Sequence, residues 1–358
     1  MILGIFLSPG DSFKNMSKSG QDDRFKRFYI LKYSKNFSEV FVFSYANESI
    51  DGLPSNVRVI PNKFNLHRYV YAILMPFINL PYILKCDVFR VYHLFGTPPA
   101  IVSKIFFGKP YAFNYAYDYG KFAAIEGKYI QLILSKLLKS FAVFFATKIF
   151  AATRKIYREL PVHKTLYLPN GVDTFFFKSH KNKKKNKIPI ILSVGRLEKQ
   201  KNLKSLVLAI KSINATLFIV GWGSLANELL ETARKNDVNL KLTKKVKNTE
   251  MPRIYNSADI FVLPSLAEGS PKVLLEAMSC GLPGIASNIP EIKEIIDNNV
   301  DGFLVDSRPD AIRAKILEVY KNKKLLEKIS KNAQKKILRE FDLEKLLSKE
   351  IDVLKKTA

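Results

Sequence analysis

Apolar positions along this chain recur in two alternating rhythms. Short continuous apolar runs, bounded by Gly, Pro, Asn or Ser, read as buried strands. Longer stretches with apolar residues three and four apart read as helices. In the first half, MILGIFLSP is a buried strand and QDDRFKRFYILKYSKN a helix. EVFVFSY, VRVIP, DVFRVYHL, PYAFNYAY and KIFAAT continue the strands, with one helix opening at Pro98–Pro99 and a long one after Glu126. The second half begins again. Strands IPIILSVG, TLFIVG, LKLTKKV, DIFVLPS, PGIAS and GFLVD alternate with helices LKSLVLAIKSI, SLANELLETARKN, TEMPRIYNSA, PKVLLEAMSCG and IPEIKEIIDNN. From Arg308 the tail is helical and rich in lysine.

Strand–helix alternation of this kind marks α/β sheets with parallel strands. The tract KSHKNKKKNK, Lys178 to Lys187, carries no apolar side chain and reads as a solvated linker between two such sheets. The expected architecture is two Rossmann-like doubly wound domains facing each other across a cleft. They comprise residues 1–177 and 188–340, joined by a basic linker at 178–187, with a C-terminal helix at 341–358 packing back on the first domain. Ligands of doubly wound sheets bind at the carboxyl ends of the strands, so the informative residues should follow strands.

Three loops of the second half meet that condition. After ILSV come Gly195, Arg196 and Lys201. Two cations on one short loop can clamp a diphosphate, and Arg binds two oxygens at once; ordinary surface charge is the simpler reading of either cation alone. After LFIV come Gly221 and Gly223, which permit close backbone approach to a ligand, or simply a turn. After DIFVLPS come Glu268 and Gly269, then Ser270 as an N-cap and Pro271 as first helical residue. The helix N-terminus at Pro271–Val273 would then point free N–H groups at an anion. Glu276 lies one turn on from Lys272, inside the apolar run of Val273, Leu274, Leu275, Ala277 and Met278. An unpaired carboxylate there is costly. Either it pairs with Lys272, in the poorer i,i+4 orientation, or it accepts hydrogen bonds from a ligand diol such as a ribose.

Composition narrows the chemistry. The 358 residues are 47% hydrophobic, with 26 Phe and 16 Tyr, ample for two packed cores. The 58 basic against 32 acidic residues give a formal charge of +26, spread over both halves, which points to polyanions: phosphates, anionic lipid or nucleic acid. No nucleic-acid motif or aromatic–basic stripe accompanies it, so no nucleic-acid partner is expected. Cys86 and Cys280 are far apart and the four histidines are scattered, so neither a metal nor a redox pair is indicated. MILGIFLSPGDS lacks the basic start and sustained apolar core of a signal peptide. The run Tyr69–Leu84 is shorter than the ~20 residues of a spanning helix and contains two prolines. Lys128–Phe150 is apolar with interleaved lysines, as in an interfacial amphipathic helix, so an anionic membrane surface is a candidate partner.

Taken together, VGRLEKQKN, VGWGS, FVLPSLAEGSPKVLLEAMSCGLPGIAS and EIIDNNVDGFLV are similar to the C-terminal domain of family 4 glycosyltransferases. LYLPNGVDTFFF resembles the segment with which that family closes its first domain, and the resemblance spans about Lys164 to Val305. It implies the GT-B fold and retaining, metal-independent transfer of a hexose from a UDP- or GDP-sugar, with no cofactor. The acceptor would be a saccharide or lipid-linked saccharide, in cell-surface polysaccharide or glycolipid synthesis. The enzyme would be cytoplasmic, and the basic first domain with its lysine-dotted apolar helix adds the option of a peripheral place on the cytoplasmic face of the membrane. By the same resemblance Arg196 and Lys201 bind phosphate, Glu268 contacts the transferred sugar, Glu276 holds the ribose, and Gly269, Ser270, Pro271 and Lys272 line the donor. In the first half the family pattern is faint. Gly20, ahead of Gly10, is the expected loop glycine; Asp118 or Tyr117 falls near the place of the family's histidine, and His93 is another candidate. A nucleotide-sugar epimerase on the same fold, and less so a basic nucleic-acid-binding protein, are the alternatives.

Overall fold

A computed structural model describes residues 1–117, 119–125, 127, 129–180, 186–244 and 246–358. The chain forms two compact units. The first is Met1–Pro169 with Lys345–Ala358, and the second is Asn170–Glu344. The first unit thus ends at Pro169 rather than in the lysine tract, and Asn170–Phe177 goes with the second. Residues 181–185 of the tract lie outside the described residues.

The first unit holds a seven-stranded sheet: β1 (Ile2–Phe6), β2 (Glu39–Phe43), β3 (Val57–Ile60), β4 (Val88–Val91), β5 (Tyr111–Tyr115), β6 (Lys148–Ala151) and β7 (Thr165–Tyr167). Its order is β3-β2-β1-β4-β5-β6-β7, every pair parallel, with Ile5 in register with Val42 on one side and Arg90 on the other. Strands β1, β2 and β4 are buried along nearly their whole length. Helices cover both faces of such a sheet, so its strands read as apolar runs without alternation.

The second unit repeats the plan with six parallel strands: β8 (Ile190–Val194), β9 (Thr216–Val220), β10 (Leu240–Thr243), β11 (Ile260–Leu263), β12 (Gly284–Ser287) and β13 (Phe303–Val305). Their order is β10-β9-β8-β11-β12-β13. The direction of winding reverses between β8 and β11, which pair through Ile191–Ile260 and Leu192–Phe261. That reversal leaves a crevice at the carboxyl ends of these two strands. The loops carrying Arg196 and Glu268 leave the sheet there.

The chain end returns to the first unit. Within Leu343–Thr357, Leu346, Leu347, Ile351 and Leu354 are buried. Glu350 grips Arg90 of β4 through two 2.8 Å contacts, from Nε and Nη2.

Candidate active site

The loop after β8 is fixed by its neighbours on both sides. Gly195 N–H donates to Val220 O (3.0 Å), Leu197 N–H to Trp222 O (2.9 Å), and Leu225 N–H back to Leu197 O (3.0 Å). The two backbones run so close that a Cβ on Gly221 would lie 1.8 Å from Gly195 O, and one on Gly223 2.5 Å from Leu197 O. These glycines are therefore required by the packing of one loop on the other, whatever they also do for a ligand. Glu198 accepts hydrogen bonds from Ser224 N and Oγ, closing the contact at its far end. Asn202 adopts the left-handed conformation, φ 52°, and its amide donates to Pro264 O and Ser307 O, beyond β11 and β13. Short polar side chains tolerate that conformation best.

Between these anchors Arg196 is exposed and, among the described residues, has no ion-pair partner. Lys201 folds back over Gly195, where its Cε passes 3.4 Å from the position a Cβ would take. Its Nζ reaches Glu268 Oε1 at 2.5 Å. Ser265 Oγ donates to the same oxygen at 2.6 Å, and Leu266 N–H donates to Gln200 O, stitching the two loops together. Glu268 is 8% exposed, and a carboxylate this deep persists because a cation and a hydroxyl satisfy it. Two of the three residues expected to carry the chemistry thus meet, 67 positions apart in sequence.

The helix after Glu268 begins at Lys272, one residue later than expected, with Pro271 as its cap at φ −71°, ψ 103°. Ser270 does not cap it. Its hydroxyl accepts from Asn170 N–H (3.2 Å), and its carbonyl accepts from the Asn170 amide (2.7 Å). Gly269, Ser270 and Pro271 are buried, and Lys272 and Val273 half-buried, at the head of the helix. Glu276 is 3% exposed, and Tyr255 Oη donates to its Oε2 at 2.8 Å. The buried carboxylate therefore has an internal donor, on helix Met251–Ser257, in addition to any ligand hydroxyl. Neither Tyr255 nor Asn170 was singled out from sequence, because only the folded chain brings them to their partners.

In the first unit, Gly20 is a left-handed helix cap. At φ 70°, its N–H closes helix Phe13–Ser19 onto Met16 and Ser17 carbonyls, which accounts for it without a ligand. Gly10, at φ 92°, is the glycine that stands in the loop after β1. Next to it is Asp11, unmarked by any motif; burial raises its carboxyl above the ordinary range, against hydrogen bonding at Ser8 that lowers it. His93 is exposed, just after β4, at the start of a 3-10 turn over Leu94–Gly96. Asp118 lies outside the described residues.

These two doubly wound sheets are the GT-B fold. A sucrose-phosphate synthase from Thermosynechococcus elongatus superposes with a TM-score of 0.82 at 16% identity, covering 99% of this chain and 98% of that one. Anabaena HepE, solved with UDP and glucose, gives 0.74 at 16% identity over 99% of each chain. The glycosyl transferases group 1 family matches residues 174–336. A UDP-Gal:alpha-D-GlcNAc-diphosphoundecaprenol alpha-1,3-galactosyltransferase of Escherichia coli is 31% identical over 300 residues, 76% of each protein. A GDP-mannose-dependent alpha-(1-6)-phosphatidylinositol monomannoside mannosyltransferase of Mycobacterium tuberculosis is 31% identical over 170 residues, 41% of this chain and 44% of that protein. The chain belongs to the glycosyl transferases group 1 family and is a glycosyltransferase.

Proposed function

We propose that the chain moves a hexosyl group from a UDP- or GDP-sugar to a lipid-linked saccharide, with retention and without a metal, in the synthesis of a cell-surface polysaccharide or glycolipid. The observation that carries this reading is the meeting of Lys201 and Glu268 at the β8/β11 switch point, beside exposed Arg196 and the head of helix Lys272–Ser279. Arg196, Lys201 and the first N–H groups of that helix supply fixed positive charge where a departing nucleotide diphosphate gains negative charge, a role a metal would otherwise fill. Glu268 and Ser265 hold Lys201 in place, so its charge is oriented before the reaction begins.

In the reaction, the bond from the sugar's anomeric carbon to the diphosphate oxygen breaks. The acceptor oxygen bonds on the same face, and its proton passes to the departing phosphate. Glu276 and Tyr255 would take the ribose hydroxyls, and Gly195, Gly269, Ser270, Pro271, Lys272 and Val273 would approach the diphosphate and sugar. Support for the donor and acceptor classes comes from the relatives, which are named for UDP-galactose or GDP-mannose and for undecaprenol or phosphatidylinositol acceptors.

The test is a thermal-shift screen of UDP- and GDP-sugars, followed by nucleotide release with diphosphoundecaprenol- and phosphatidylinositol-linked saccharides in EDTA. One nucleotide should stabilise the fold, and Arg196→Ala should cut turnover by roughly 10²-fold or more. Wild-type turnover by Arg196→Ala would remove the charge clamp from the mechanism, and an inverted product would remove retention.

A further inference from the structure

The winding of the first sheet sorts its helices between two faces. Right-handed crossovers that lead from β3 to β4, β4 to β5 and β5 to β6 all advance in one direction across the sheet, so their helices lie on one side. Helices Arg68–Ile78, Pro98–Phe107 and Tyr129–Phe145 are these connections, and the middle one packs against both others. Buried helices of such a sheet should turn their apolar sides inward and polar sides out. These three do not. Along Tyr129–Phe145, Ile130, Leu134, Leu137, Phe141 and Phe144 recur at helical spacing and are all exposed, Ile130 by 76% and Phe144 by 75%. Along Arg68–Ile78 the exposed stripe is Tyr69, Ile73 and Phe77. Phe77 stacks edge-on against Phe106, 62% exposed, at 5.1 Å, so the apolar surface runs unbroken from one helix to the next.

The three helices themselves carry charge of one sign. None of the three helices contains Asp or Glu, while Arg68, Lys104, Lys136 and Lys139 stand on them. Among the described residues only Lys139 of these approaches a carboxylate, Glu159 at 3.9 Å. Scattered exposed apolar residues need no explanation, but a contiguous patch of this extent on three adjacent helices does. No helix among the described residues is long and apolar enough to cross a membrane. An apolar stripe edged by cations is the pattern of a helix that lies in the headgroup layer of a bilayer.

We propose that this three-helix face docks on an anionic phospholipid bilayer, inserting its aromatic and aliphatic side chains between headgroups while Arg68, Lys104 and Lys136 meet lipid phosphates. The inference deepens the lipid-acceptor reading above, on which it rests, by assigning the surface that holds the enzyme beside a substrate anchored in the membrane. Because insertion is mainly apolar, high salt should weaken attachment only in part, unlike a purely electrostatic contact.

The experiment is flotation of the full chain with vesicles of phosphatidylcholine alone or mixed with phosphatidylglycerol. The wild-type chain should float with the mixed vesicles and stay partly bound at high salt. Leu134→Asp with Phe141→Asp, two exposed positions of the stripe where folding should be unaffected, should lower the bound fraction by roughly tenfold or more. The proposal is overturned if the chain fails to float with mixed vesicles, or if the double variant floats as well as wild type. It is equally overturned if the chain is a dimer that the double variant splits, which would assign the face to a second copy. Stabilisation by UDP or GDP, read on the same samples, separates the two ideas. Nucleotide binding without flotation removes the docking face alone, and flotation without nucleotide binding removes the sugar-transfer reading alone.

Discussion

Replacing Gly221 by Ala probes the site where its construction is tightest. The new methyl would lie 1.8 Å from Gly195 O and 2.9 Å from Gly195 C. Since carbon and oxygen do not approach closer than about 3 Å without strong repulsion, one of the two loops must retreat by about 1 Å or more. The Gly221 side is pinned, because its N–H bonds to Thr243 O (2.9 Å) and Val220 O accepts from Gly195 N–H. The peptide between Gly195 and Arg196 is therefore the part that turns, carrying Arg196 with it and disturbing the bed on which Lys201 lies.

Overpacking of this kind costs about 1–3 kcal/mol, within the ~5–15 kcal/mol by which a domain is stable, so the variant should still fold. A ~1 Å misplacement of charges that act on a transition state costs about 10²-fold in rate. The two effects separate in a paired assay of chemical denaturation and nucleotide release from the donor sugar. Trp222, the only tryptophan of the chain and 57% exposed between the two glycines, gives a fluorescence readout of nucleotide binding. Gly52→Ala, at φ 74° with no atom within 4 Å of the added carbon, is the comparison. It carries backbone strain of about 1 kcal/mol in the other unit and should leave turnover unchanged. A folded Gly221→Ala protein with wild-type nucleotide affinity and turnover would show that the Arg196 loop has no part in the chemistry.

Four further outcomes are expected. Lys201→Ala should lose roughly 10²–10³-fold in turnover and also destabilise the second unit, because Glu268 is left buried without its cation; adding Glu268→Gln should restore stability in denaturation but not turnover. Tyr255→Phe removes the internal donor to Glu276 and should cost about 1–3 kcal/mol in urea unfolding, with nucleotide affinity weakened and the rate at saturation nearly kept. Glu350→Ala should cost about 3–5 kcal/mol in the first unit by stranding Arg90, 1% exposed and raised in pKa by the Glu350 carboxylate despite burial that lowers it, whereas Arg90→Met with Glu350→Leu should recover most of that loss. Cys86 and Cys280 are buried free thiols, and burial pushes the Cys86 thiol up, so neither should react with a disulfide reagent at pH 8 until denaturant opens the fold.

What could be read from the chain beforehand follows from the range over which each signal acts. Strands buried on both faces declare themselves as apolar runs, and the glycines and cations just beyond them stand out against that background. The α/β alternation and the loops of Arg196, Gly221 and Glu268 were therefore legible. Partners were not. Lys201 and Glu268 meet only because β8 and β11 are neighbours, and strand order leaves no mark in local periodicity. Glu276 announced itself as a carboxylate among apolar residues and so demanded a donor, but the donor that meets it, Tyr255, sits on another helix. A glycine is legible while its reason is not: Gly20 stands ahead of Gly10 as the loop glycine in sequence, and only the end of helix Phe13–Ser19 shows that it is a cap, leaving Gly10 in the loop after β1.

The same asymmetry bears on one more surface. Tyr69–Leu84 reads as an apolar stretch too short to span a bilayer, and Lys128–Phe150 as a helix suited either to a membrane interface or to the core. The winding of the sheet bears on that choice. It sets three helices side by side on one face, where each satisfies the core with one side and the other side of the trio is left uncovered among the described residues. Apolar surface in excess of what the core can bury is costly to keep in water, at about 25 cal/mol for each Å². A group 1 glycosyltransferase whose acceptor is anchored in lipid has a use for that excess, since attachment at a bilayer turns a search through solution for the acceptor into one across a surface. On the proposed donor site and lipid-linked acceptor, the apolar helices and the loops of Arg196 and Glu268 would answer one requirement, even though no local signal in the chain connects them.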